Sequence, residues 1–185
     1  MSKPSATDDD MKNIVLREIT REDLGDINRW RSSRELVDCL GSIFRYVGPE
    51  VDSEWFNSYL ASRSNNVRLA ICVEGSARPV GVVYLLHIDW AVRSAELAIQ
   101  IGEPRARGKG IGKYATKKML EHAFLDLNLN RVYLRVLADN KTAIGLYRKL
   151  GFQDEGRERQ GAFKGGRCKD VLCMSILAPE FTKGN

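Results

Sequence analysis

Cysteine is sparse in this 185-residue chain: Cys39, Cys72, Cys168 and Cys173 stand far apart, no C-x-x-C pair occurs, and there are only two histidines. That argues against a disulfide framework or a zinc site and suits a reducing, cytoplasmic setting. Cys72 and Cys173 sit in apolar runs, where a reduced cysteine acts as a small hydrophobe. Long apolar runs are missing too. The longest, VGVVYLL at 80–86, falls far short of the ~20 residues that cross a bilayer, so no membrane partner is expected. The opening MSKPSATDDDMKN is polar, and no secretory signal is expected. Basic stripes interleaved with exposed aromatics are absent, which argues against nucleic acid. No internal repeat or low-complexity linker divides the chain.

What remains is an ordinary globular composition, 43% hydrophobic and 29% charged, with a net charge of +5. Residues 1–12, with the acidic run Asp8, Asp9 and Asp10, read as a loose tail. Residues 13–180 read as one domain and 181–185 as a C-terminal tail. NIVLREI is a first strand, and Thr20 with Asp23 predicts a capped helix after it. A second helix is expected in DSEWFNSYLASR, capped by Asp52 or Ser53, with Trp55, Phe56, Tyr59 and Leu60 as a core stripe. The intervening SSRELVDCLGSIFRYVGPE is a candidate lid or acceptor loop. VRLAICVEG, RPVGVVYLLHID and SAELAIQIG read as strands. A long helix runs to about Leu127, with Met119, Leu120, Ala123, Phe124 and Leu127 on one face. RVYLRVLAD is a strand, NKTAIGLYRKLGF a helix ended by Gly151, and RCKDVLCMSIL a final strand. The order is mixed α/β.

Charge and glycine concentrate in RARGKGIGKYATKKML, residues 105–120: three glycines and six cations at one helix start. Glycines let the backbone approach a ligand, and an uncapped helix start offers free N–H groups and partial positive charge, so the segment suits a phosphate or pyrophosphate. Arg105, Arg107, Lys109 and Lys113 surround it with cations, whereas Lys117 and Lys118 read as a solvated helix face. A Walker A loop fails, because no glycine lies five residues before Gly112. A dinucleotide fingerprint matches at Gly110, Gly112 and Ala115, but the strand ends at Ile101 and Pro104 intervenes, and Asp139 comes 29 residues after Gly110.

The remaining pattern, R-x-x-G-x-G at Arg107, Gly110 and Gly112, resembles the acetyl-CoA pyrophosphate loop of the GNAT superfamily of N-acetyltransferases. The segment Asn140 to Phe152 matches that family's second motif at Asn140, Ala143, Leu146, Tyr147, Lys149, Gly151 and Phe152. The resemblance covers roughly residues 14–178. It implies one largely antiparallel mixed sheet flanked by helices, with a strand pair splayed at the cofactor site. It implies acetyl-CoA as co-substrate, no metal, and direct attack by a primary amine in a ternary complex. The pyrophosphate is expected against the backbone of Arg107, Gly108, Lys109, Gly110, Ile111, Gly112 and Lys113. Pantetheine is expected beside Ile99, Gln100 and Ile101, near Asn140 and Ala143. Tyr147 is the implied acid towards the thiolate, with helix packing as its other role. Asn140 caps its helix or also holds pantetheine. Glu96 is the first candidate base, with His87 and Asp89 as rivals.

The branch resembles ribosomal-protein N-terminal, spermidine and amino-sugar acetyltransferases, with a small-molecule amine favoured over a peptide N-terminus or an aminoglycoside. A polyamine would want carboxylates, for which Glu35, Asp38, Glu50, Asp52 and Glu54 are available. A nucleotide-linked amino sugar, being anionic, suits the basic chain. A non-catalytic acyl-CoA sensor is the alternative from another class. A homodimer is consistent with the resemblance.

Overall fold

The computed structural model describes Met11 and residues 13–183; the expected N-terminal tail, Met11 apart, lies outside them. Seven strands form one sheet: β1 (Ile14–Glu18), β2 (Val67–Val73), β3 (Pro79–Asp89), β4 (Ser94–Ile101), β5 (Arg131–Leu137), β6 (Gln153–Lys164) and β7 (Arg167–Leu177). Their order is β1-β2-β3-β4-β5-β7-β6. Every neighbouring pair is antiparallel except β4 and β5. Among the described residues the α-helices are α1 (Leu24–Arg31), α2 (Arg34–Asp38), α3 (Pro49–Ala61), α4 (Ile111–Glu121), α5 (Lys141–Lys149) and α6 (Ala178–Lys183).

Two hydrophobic clusters form. One gathers Leu85, Ile88, Leu97, Met119, Leu120, Phe124 and Tyr147, so α4 and α5 pack there. The other gathers Ile27, Trp30, Leu36, Phe56, Tyr59, Ala70 and Val82, under α1, α2 and α3. Alternation along the strands makes this two-sidedness possible: Val82 and Val83, adjacent on β3, belong to different clusters.

Four expectations change. α3 starts at Pro49 with Gly48 before it, not at a cap from Asp52 or Ser53. Proline at the first helical position has the right φ and no N–H to waste, so the helix begins a turn earlier. Asp52, 1% exposed, is instead drawn into an ion pair with Arg31 and a 2.5 Å hydrogen bond from Asn28. Leu60 leaves the predicted core stripe and is 46% exposed. At the C-terminus Phe181 is buried against Phe124, with ring centroids 5.4 Å apart, so packing continues past residue 180. β6 was not among the expected strands. It is an exposed edge filled by Asp, Glu, Arg and Gly, a composition that hides strand character.

Candidate active site

β4 and β5 pair only at Ser94–Arg131, Ala95–Val132 and Glu96–Tyr133. Beyond Glu96 they part, while β4 remains paired with β3 through Ile101. Residues 97–101 therefore have no strand partner on the β5 side, where Ile99, Gln100 and Ile101 were expected to meet pantetheine. A cavity of about 450 Å³ occupies the gap. Glu96, Ala98, Ile99, Gln100, Asn140, Ala143 and Tyr147 all line it. Strands that part leave unpaired amides and carbonyls that a ligand carrying amides can satisfy as another strand would.

The glycine segment lies past the end of β4. Gly108 (φ +72°) and Gly110 (φ +85°) are left-handed, a conformation costly for other residues. Among the described residues, no acceptor takes the N–H of Gly108, Lys109, Gly110, Ile111, Gly112 or Lys113. Arg105, Lys109 and Lys113 are exposed and carry no ion pair there. The arrangement fits the diphosphate of coenzyme A, since its unmet groups are donors and its free charge is positive. Arg107 departs from expectation. Its guanidinium donates to the carbonyls of Ile101 and Gly102, each at 3.1 Å, and so buckles the loop to β4. The cation is occupied by backbone dipoles rather than mobile. Lys118 pairs with Glu121 at 2.6 Å, as a helix-face lysine should.

Gly102 fixes the loop against α1. A Cβ there would lie 2.0 Å from the Trp30 indole, so only glycine permits the contact. Trp30 Nε1 then donates to Glu103 at 3.0 Å.

Tyr147 is 8% exposed, and its hydroxyl makes no hydrogen bond to a described residue. Burial pushes its pKa up to about 12. Asn140 caps α5 through Ala143 N–H at 3.1 Å, and its amide donates to the Cys39 carbonyl at 3.2 Å. Both ends of this side chain are engaged within the protein.

Glu96 faces the cavity from the opposite side of the sheet to Leu97, and its Oε2 lies 3.2 Å from His87 Nδ1. A bulge makes this pair. Leu85 and Ile88 both enter the α4-side core, although they stand an odd three positions apart, and His87 (φ +53°) is the extra residue thrown to the other face. His87 is thus brought to Glu96, but Asp89 is not. Asp89 accepts the N–H groups of Ala91 and Val92, each at 2.9 Å, and closes the β3–β4 turn.

The expected acceptor loop does reach the cavity, through Leu40, Gly41 and Ser42. Lys164, 6% exposed, holds it from β6 by donating to the carbonyls of Val37, at 2.9 Å, and Ser42. Burial lowers the Lys164 pKa. The carboxylates expected for a polyamine are elsewhere: Glu35, Asp38, Glu50, Asp52 and Glu54 are all absent from the lining, Asp52 because Arg31 consumes it. Unforeseen liners are Arg31, Trp55, Arg68, Tyr84, Gly161 and Ala162. A lone arginine inside the apolar VRLAICV was the one visible signal among them.

Residues 13–153 match the family model for the acetyltransferase (GNAT) domain. A spermidine N(1)-acetyltransferase of Vibrio cholerae is 30% identical over 168 residues, covering 91% of this chain and 95% of that one. A putative ribosomal N-acetyltransferase of Bacillus subtilis is 29% identical over 69% of this chain and 67% of its own length. The crystal structure of the V. cholerae spermidine N-acetyltransferase with CoA and spermine superimposes with a TM-score of 0.86 at 29% identity, covering 92% of this chain and 98% of that one. A dodecameric structure of a V. cholerae spermidine N-acetyltransferase gives 0.79 at 28% identity, covering 91% and 96%.

Proposed function

The chain belongs to the GNAT family of acetyltransferases, and on that premise we propose that it acetylates the primary amine of a small molecule, with acetyl-CoA as donor. The observation that carries this reading is the parted β4–β5 edge beside six unpaired N–H groups. In a ternary complex the acceptor nitrogen attacks the thioester carbonyl, the C–N bond forms, and the C–S bond breaks. Glu96, with His87 at its side, takes the amine proton, directly or through water. Tyr147 acts on the departing sulfur as a hydrogen-bond donor. A phenol held near 12 against a thiol near ~8.5 makes full proton transfer roughly 5 kcal/mol uphill. Glu96 and Tyr147 line the same cavity, one from a strand beside the gap and one from α5.

Polyamines, the class named for the Vibrio relative, and amino sugars are the acceptors to assay first. A peptide N-terminus is the comparison arm, the Bacillus relative being named a putative ribosomal N-acetyltransferase. The expected result is thiol release from acetyl-CoA with at least one small amine. CoA binding without thiol release for any amine would replace this reading with an acyl-CoA sensor. A cytoplasmic location belongs to the same proposal, as does a homo-oligomer, for which the dodecameric relative is the support; light scattering tests the latter.

A further inference from the structure

From the unmet polar groups of the cavity we infer that Arg68 is an anion subsite, so that the acceptor carries a phosphate or carboxylate in addition to its amine. This rests on the cavity being the acceptor site. Arg68 rises from β2 opposite Tyr84 on β3. The rings of Trp55, Tyr84 and Tyr59 surround its guanidinium at 4.9, 5.0 and 5.5 Å. No carboxylate among the described residues pairs with it, unlike the other arginines of the lining: Arg31 has Asp52, and Arg135 has Glu158. Burial lowers the pKa of Arg68, and the nearby charge of Arg31 adds to that.

Two buried side-chain polar atoms lack a partner among the described residues, Arg68 Nε and Gln100 Nε2. Both are N–H donors and both belong to cavity residues. An unmet donor on a boxed cation calls for a ligand that brings an acceptor oxygen to Arg68. Among the described residues Glu96 is the only carboxylate on the lining, whereas a polycation would be held by several.

The register gives the spacing. Arg68, Tyr84 and Ala98 form one row across β2, β3 and β4, and Glu96 lies two residues along β4. Strand spacing and rise then separate the Arg68 and Glu96 Cα atoms by about 12 Å. An acceptor spanning them holds its amine and its anion several bonds apart, which suits a phosphorylated amino sugar or an ω-amino carboxylate better than an α-amino acid.

The test measures kcat/KM for glucosamine, glucosamine 6-phosphate, 5-aminopentanoate and spermidine, in the wild type and in Arg68→Gln. An anion-bearing amine should exceed glucosamine and spermidine at least tenfold. In Arg68→Gln that ratio should fall to within threefold of one, with Arg68→Lys restoring part of it. Phosphate or carboxylate preference tells the two anions apart. A wild type that prefers spermidine, or a ratio that Arg68→Gln leaves intact, overturns the inference while leaving acetyl transfer standing. If no amine releases thiol, the function fails first. The subsite is then decided on CoA-saturated protein, where inorganic phosphate or acetate should raise the melting temperature of the wild type and not of Arg68→Gln. Equal shifts in the two proteins would overturn it.

Discussion

The two sides of the candidate site, the glycine loop past β4 and the cavity beside it, are made by different means. The glycine loop works through its main chain: left-handed Gly108 and Gly110 and a row of unpaired N–H groups ahead of α4. The other works through side chains brought from separate elements, with Glu96 from β4, His87 from a bulge, Trp55 from α3 and Arg68 from β2. A main-chain site needs a short contiguous pattern, while a side-chain site needs a whole fold to assemble it. The two sides should therefore fail differently when changed.

The largest separation is expected from Glu96→Gln. Removing the proposed base should lower kcat about 10²–10⁴-fold while CoA affinity by calorimetry stays within a factor of about two. Equal losses in both would erase the division between the sides. The converse change is Gly110→Val. Forcing a β-branched residue into a φ of +85° costs about 1–2 kcal/mol from conformation alone, and the added branches crowd the N–H row. CoA affinity should fall about 100-fold. A variant that folds and binds CoA normally would remove the loop from the site.

That asymmetry also explains what the sequence could reveal. Arg107, Gly110 and Gly112, followed by Asn140 to Phe152, were legible because each set is local and its spacing is fixed by the helix it enters. Six strands could be read from their apolar runs. β6 could not, because at a solvated edge its residues are chosen for charge. Nothing local gives Arg68 its surroundings, since the rings that box it come from Trp55 and Tyr59 on α3 and Tyr84 on β3. His87 drew notice as a titratable residue, but only the bulge at φ +53° makes it a neighbour of Glu96. Arg107 matched a motif and yet serves as a buckle, because a motif gives position without naming a partner.

Tyr147 lines the cavity from α5. Tyr147→Phe should lower kcat about 10–100-fold if the phenol's hydrogen bond to the sulfur is used only in the transition state. The pH profile sharpens this. A group whose pKa burial holds at about 12 stays protonated across the assay range. Tyr147 should therefore contribute no alkaline fall in kcat below about pH 11. An alkaline limb near pH 9–10 that vanishes in Tyr147→Phe would show that the phenol titrates far lower, and would return it to the role of proton donor.

Asn140→Ala carries the smallest expected effect and separates two roles at one residue. The side chain caps α5 through Ala143 and ties that helix to the Cys39 carbonyl at the end of α2. Losing the cap costs about 1 kcal/mol, a fall of about 2–4 °C in melting temperature for a chain of this length. If capping and tethering are its whole contribution, the KM for acetyl-CoA should change less than about threefold, because the unpaired edge of β4 and the N–H row of the loop are untouched. A tenfold rise in that KM at unchanged kcat would instead mean that Asn140 binds pantetheine in the ground state and the transition state alike. The cofactor side would then use a side chain after all, and the contrast with the acceptor side would narrow at the residue where the second motif begins.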